Sequence, residues 1–288
     1  KTAEKINAQL GRIGNLKSDG RPILGLDSEK LAEIVFNINP QAVIIPAHAW
    51  TPWFSIFGSM SGFDSIEECF GKYAKNIFAI ETGLSSDPAM NRRLSKLDNV
   101  TLISNSDSHS LRKIGREANI FDTELSYKGI MEAIKNGAPK FLSTIEFFPE
   151  EGKYHYDGHF DCKIYLSPKE TKEHNGICPK CGKKLTIGVM NRVVQLADRE
   201  IGKNFIPYRN LIPLGEIIAE AFDVGENTKQ VKKEYDNLIK TFGNELKILT
   251  DISENELKSV ADPRVAEGIK RVREGKVKIR PGYDGEYG

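Results

Sequence analysis

"VTLISNSDSHS", residues 100–110, runs from an apolar stretch straight into Asp107 and His109. Residues i and i+2 of an extended segment point to the same side, so this carboxylate and imidazole are placed to hold one cation. Zinc, manganese and iron all accept mixed oxygen and nitrogen ligands, so the pair does not name its metal. An earlier run ends in the same way, for "QAVIIPAH", residues 41–48, closes on His48.

Around these two runs the pattern alternates helix and strand. "DSEKLAEIVFNI" (27–38) carries Leu31, Ile34, Val35 and Ile38 at helical spacing, with Asp27 or Ser28 as N-cap, and leads to "QAVIIPA". "SIEECFGKYAKN" leads to "IFAIET", "PAMNRRLSKL" to "VTLISN", and "LSYKGIMEAIKN" to "PKFLST". Four such cycles predict parallel strands with crossover helices, as an open α/β sheet or a barrel. His48, Glu81 and the Asp107/His109 pair each stand at a strand's carboxyl end, and barrels gather those ends on one face. An open sheet binds at a single crevice, so three consecutive strands with one polar group each favour the barrel.

The pattern changes after residue 148. The stretch 149–190 is rich in glycine, proline and lysine and holds Cys162, Cys178 and Cys181. "CPKCGKK" is a C-x-x-C turn of the kind in which two thiolates reach one tetrahedral ion. Cys162 is the third ligand of a structural zinc. For the fourth, His174 is preferred and His159 is the runner-up, because Tyr165 stands where a second C-x-x-C would finish. Cys69 reads as a small buried residue of a helix. Beyond residue 190 the periodicity is helical, with Val231, Tyr235, Leu238 and Phe242 on one face. The expected division is therefore 1–148 for an α/β barrel portion, 149–190 for a ribbon and 191–288 for a helical part.

The charges, 41 basic against 40 acidic, nearly cancel, so no global field favours nucleic acid or membrane and any such binding must be local. Local basic clusters, Lys180, Lys183 and Lys184 on the ribbon and Lys270, Arg271 and Arg273 near the end, are the candidate phosphate-backbone contacts. Trp50, Trp53 and Phe54, just after His48, either stack on an extruded base or pack in the core. No apolar run is long enough to span a bilayer and no leader opens the chain, so a cytoplasmic location and no membrane partner are expected. The chain opens without methionine in a charged, helix-like segment, as though a preceding portion were missing.

In order and separation, "IPAHAWTPW", "ETGLSSD", "SNSDSHS", "CPKCGKKLTIGV" and the terminal "PGYDGEYG" resemble endonuclease Q, a branch of the PHP (polymerase and histidinol phosphatase) superfamily. The resemblance spans nearly the whole chain. It implies a distorted (β/α) PHP barrel, incomplete here, with a zinc ribbon and a helical C-terminal part. It also implies metal-dependent nicking of DNA on the 5′ side of uracil, hypoxanthine, xanthine or an abasic site. By this resemblance His48, Asp107 and His109 hold a catalytic divalent metal (Zn²⁺, Mn²⁺ or Mg²⁺), and Glu81 and Asp107 serve catalysis. Cys162, Cys178 and Cys181 match the ribbon. Family members also open with an H-x-H motif that has no counterpart here, so the chain by itself is expected to be nearly inactive. Two other functions fit the same residues: a small-molecule PHP phosphoesterase, and a non-catalytic DNA-binding fragment.

Overall fold

The computed structural model describes residues 1–18, 22–60, 62–203 and 206–288. Two short strands, β1 (Ala79–Glu81) and β2 (Thr101–Ile103), buried except at the half-buried Thr101, pair in parallel with Glu81 opposite Ile103. A short helix, Pro88–Asn91, lies on the crossover between them, its N-terminus capped by the Asp87 carboxylate accepting from Met90 N–H at 2.8 Å. Asp27 caps the helix Ser28–Ile38 in the same way, accepting from Lys30 N–H at 2.7 Å.

The expected strand "QAVIIPA" is not a strand. The segment is extended and half-buried, and it meets β1 only at its end, where Glu81 N–H donates to Pro46 O and Ala49 N–H to Glu81 O. Pro46 has no N–H to add to a ladder, which suits a sheet margin.

A second sheet has the order β3 (Ala118–Phe121), β4 (Phe141–Glu146), β7 (Tyr208–Asn210), with β3 antiparallel and β7 parallel to the central β4. The uniform parallel arrangement expected from the helix-strand cycles is thus broken at β3. Side chains, not a backbone ladder, join the two sheets. Ser104 Oγ donates to Ile145 O at 2.7 Å, Thr82 Oγ1 donates to Glu146, and Asn119 pairs with both the N–H and the carbonyl of Ser104. This polar seam replaces the missing ladder bonds and makes the barrel a distorted one.

The third sheet is the ribbon hairpin, β5 (Asp157–His159) antiparallel to β6 (Ile164–Leu166), turned through Lys163 in a left-handed conformation. Its base is fixed by the fully buried Asp157, which accepts from Gly188 N–H at 2.7 Å and from Asn191 at the start of the helix Val189–Leu196. Val189 and Val193 of that helix enter the core built around Trp50, Phe57, Ile80 and Leu97. A second core lies among the C-terminal helices, where Leu214, Ile218, Leu238, Ile248 and Ile269 meet Ile145 of β4. Val231 and Leu238 of the helix Lys229–Phe242 are fully buried, with Tyr235 and Phe242 packed beside them, as its spacing predicts. Cys69 is buried in the first core. Among the described residues no helix is long and apolar enough to cross a membrane.

Candidate active site and metal centre

Glu81 ends β1, buried at 8 % exposure, and ties two loops together. One carboxylate oxygen accepts from His48 N–H at 2.6 Å, and the other accepts from Asn105 Nδ2 at 2.9 Å. Through these two bonds Glu81 holds the loops that carry His48 and Asn105 together at the end of β1. His48 and Asp107 both hold positive φ, 33° and 43°, a conformation that non-glycine residues keep only when their surroundings impose it. Gly83 explains part of the imposition. Its own φ is +60°, and a Cβ there would lie 2.9 Å from His48 Cα. The Thr51 hydroxyl contacts His48 Nδ1 at 3.2 Å, leaving Nε2 as the nitrogen open to a ligand. Across the loop, the Arg116 guanidinium donates to Ser106 O at 3.0 and 3.2 Å and steadies the backbone beside Asp107.

His48 and Asp107 line one cavity of about 350 Å³. Its walls come from Thr51, Trp53 and Phe54, from Leu84 and Ser85 after β1, and from Pro149, Gly152, Lys153, Tyr154 and His155. Trp53 is partly exposed and stands edge-on to Tyr154, with ring centroids 5.3 Å apart. The segment 149–155 carries the cavity's far wall, yet its sequence is irregular and interrupted by Gly152, and nothing in its periodicity marks it. Its one legible signal is the density of titratable groups in "PEEGKYHYD".

Several assignments need correction. His109 is exposed and outside the cavity lining, with Nδ1 2.8 Å from Asp107 O, so the trio His48, Asp107, His109 is only partly gathered. Trp50 is fully buried, its ring tilted against that of Phe57 and its Nε1 donating to Asn91 at 2.7 Å, so it is core and unavailable to DNA. Arg273 donates to the carbonyls of Ile248 and Leu249 at the end of a helix, while Lys270 pairs with Glu254 and Arg271 with Glu267. All three are thus engaged within the helical part, Arg273 at a helix end and the other two in surface ion pairs. Lys180, Lys183 and Lys184 are exposed on the ribbon, without an ion pair among the described residues.

The ribbon gathers His159, Cys162, Cys178 and Cys181, whose ligand atoms all lie within 4.8 Å of one another. The ring is therefore that of His159, not His174. His159 ends β5 beside the thiols, its Nδ1 3.7 Å from Cys181 Sγ, whereas His174 caps the helix Pro168–Glu173 and faces solvent. Three sulfurs and one imidazole are the donor set of a tetrahedral structural zinc. Partial burial, then the neighbouring Cys181 and Cys178 sulfurs, push the Cys162 thiol up to about 11, and a bound cation would reverse that by stabilising thiolates. Among the described residues this is the only such group of histidine, cysteine and acidic side chains.

Two further acids, Glu117 and Glu146, are buried. Burial, and then the nearby Glu146, push Glu117 up to about 9, and burial raises Glu146 itself to about 7. Glu146 accepts from Thr82 and Thr144, and Glu117 accepts from Phe147 N–H. These carboxyls sit behind the strand ends.

Fold and site together define a PHP-associated α/β protein with a histidine–cysteine cluster on its ribbon, and residues 90–139 match the family model described as PHP-associated. Residues 213–276 match that of the MJ0043 C-terminal domain. The chain is 36% identical over 251 residues to uncharacterized protein MJ0043 of Methanocaldococcus jannaschii, covering 84% of this chain but 31% of that protein. It is 30% identical to YqxK of Bacillus subtilis, over 98% of this chain and 70% of that one. The lesion-specific endonuclease PfuEndoQ of Pyrococcus furiosus superimposes with a TM-score of 0.87 at 32% identity, over 99% of this chain and 71% of that chain. A complex of endonuclease Q with a duplex bearing an abasic lesion superimposes at 0.86, with 31% identity and the same coverage. The chain belongs to the endonuclease Q family.

Proposed function

We propose that the chain is the greater part of a metal-dependent DNA endonuclease that nicks the phosphodiester on the 5′ side of deaminated bases or abasic sites. The observation that carries this reading is the likeness along 99% of the chain to a lesion-specific endonuclease, at 32% identity and a TM-score of 0.87. His48 and Asp107 at one cavity rim supply a place for the chemistry. His48 Nε2, the Asp107 carboxylate and, once turned inward, His109 would hold the catalytic divalent metal. Such a metal polarises a phosphoryl oxygen and lowers the pKa of water, which suits hydrolysis near neutral pH. Glu81 keeps the two ligand-bearing loops in register, and Trp53 and Phe54 offer aromatic surface at the mouth for an extruded nucleotide.

His159, Cys162, Cys178 and Cys181 would hold a structural zinc, and the free Lys180, Lys183 and Lys184 beside it would contact phosphates. A cytoplasmic location accords with four thiols in a ligand cluster and a core instead of in disulfides. Incubating the full-length protein and a manganese or magnesium salt with a duplex carrying one deoxyuridine tests the reading. Nicking confined to the lesion strand supports it, and equal cutting of the undamaged duplex removes the lesion assignment.

A further inference from the structure

Asp107 and His109 stand on the loop between β2 and β3, and little holds that loop from outside. Among the described residues no backbone hydrogen bond ties 105–116 to another element. Its large apolar residues, Leu111 and Ile114, are 88 % and 67 % exposed, so burial does not anchor it. The base is closed by Asn105 on Glu81 and by Arg116 on Ser106 O. At the far end the short turn Leu111–Lys113 carries two cations to the helical part. Lys113 Nζ donates to Glu216 at 2.7 Å and lies 3.7 Å from the Glu226 carboxylate, and Arg112 donates to Asn227 at 2.9 Å. These acceptors have a rigid support. Glu216 belongs to the helix Leu214–Phe222, whose Leu214, Ile217 and Ile218 are buried in the C-terminal core with Ile145 of β4. Glu226 lies against the start of that helix, where a Cβ on Gly215 would come 3.3 Å from its Oε1. The Lys113 and Glu216 side chains are 29 % and 26 % exposed, which sets this hydrogen-bonded pair apart from the ion pairs of an open surface. Glu151, on the same side, does not compete for Lys113: burial, then the nearby Glu216, push its carboxyl up to about 8, so it is mostly protonated near neutral pH.

We propose that Lys113 is a positioning residue, which through Glu216 and Glu226 clamps the loop bearing Asp107 and His109 onto the helical part of the chain. The inference rests on the endonuclease reading above, in which those two side chains meet the catalytic metal. Asp107 holds a φ of 43°, and such a conformation persists only where its surroundings impose it. The clamp supplies that constraint from the side away from β1. With Lys113 released, the turn Leu111–Lys113 would swing with solvent and Asp107 and His109 would lose their common orientation. The helical part thereby acts on the chemistry without a residue of its own in the cavity that His48 and Asp107 line.

The test compares full-length Lys113→Met, Lys113→Arg and Glu216→Gln/Glu226→Gln with wild type, on a duplex carrying one deoxyuridine and over a range of manganese concentrations. Lys113→Met and the double variant should each lose about 10-fold in kcat and need about 10-fold more manganese for half the maximal rate, with KM for the duplex within about 2-fold of wild type. Lys113→Arg keeps a cation within reach of both carboxylates and should stay within about 2-fold of wild type throughout. A readout apart from activity follows the loop itself. The double variant retains Arg112 and Lys113 as trypsin sites, and at an unchanged melting temperature it should be cut there about 10-fold faster than wild type. Were Lys113 a phosphate contact instead, Lys113→Met would raise KM and the double variant would not reproduce it. That result would overturn the clamp, as would unchanged trypsin cleavage of the double variant. If the wild type leaves every lesion duplex whole, the endonuclease reading has failed, and the trypsin rates still decide whether the clamp holds the loop.

Discussion

Glu81 shows how one buried carboxylate sets the path of two loops at once. Its two oxygens accept from the loops that carry His48 and Asp107, and Glu81→Gln turns one of those acceptors into a donor facing a donor. We expect full-length Glu81→Gln to lose about 10- to 100-fold in nicking rate and about 1–3 kcal/mol in stability, measured by gel assay and by urea titration. Glu117 allows a cleaner test. Its carboxyl is raised from an ordinary 4.5 to about 9, so between those values the folded chain binds a proton that the unfolded chain has released. Stability therefore falls as pH rises through that window. Glu117→Gln removes the titration. The variant should match wild type near pH 5 and exceed it at pH 8 by about 1–3 kcal/mol in urea unfolding, and parallel pH profiles for the two proteins would contradict the account. Residues three positions apart show what sequence could not resolve at this scale. Trp50 and Trp53 carry the same chemistry after His48, but positive φ at His48 and at Phe54 bends the loop so that one enters the core and the other faces the cavity.

The ribbon is the element whose chemistry sequence exposed best, since C-x-x-C spacing fixes two ligands by itself. Its fourth ligand was hidden because it depends on the β5–β6 hairpin pairing, which brings His159 opposite Ile164 and back over the thiols. His174 is nearer in sequence to Cys178 but belongs to a helix end that points outward. His159→Ala should release the zinc or weaken its binding by about 10- to 100-fold, whereas His174→Ala should leave one zinc per chain, both read by metal analysis after dialysis. Elements buried on both faces, such as β1 and β2, announced themselves as apolar runs. β3 did not, because it is a half-buried sheet edge whose residues mix Asn119 with Ile120 and Phe121.

At the scale of the whole molecule, the last residues close the structure on itself. The 281–288 segment returns to the cavity wall. Gly282 N–H donates to Glu150 O, Gly285 N–H to Lys153 O and Gly288 N–H to Glu151 O. The Tyr283 ring lies on Gly158, where an added Cβ would come within 2.4 Å of it, and Asp284 accepts from Phe160 N–H at 2.6 Å. Gly158→Ala should cost about 1–3 kcal/mol by overpacking, seen as a lowered urea midpoint, and should loosen amide protection across residues 150–160 in hydrogen exchange. Such long-range closure cannot be read from local periodicity. The alternation of helix and strand was legible, and so was the gathering of polar groups at strand ends, but the polar seam of Ser104, Thr82 and Asn119 that distorts the barrel was not.

The central claim is that His48 and Asp107 serve one cavity where a damaged strand is cut. The most direct measurement is the nicking of a duplex with a single deoxyuridine by full-length wild-type and Asp107→Ala proteins, with manganese present and folding checked by melting. The account predicts a single break 5′ of the lesion for the wild type and a rate lower by at least about 100-fold for the variant. Undiminished cutting by Asp107→Ala would contradict it.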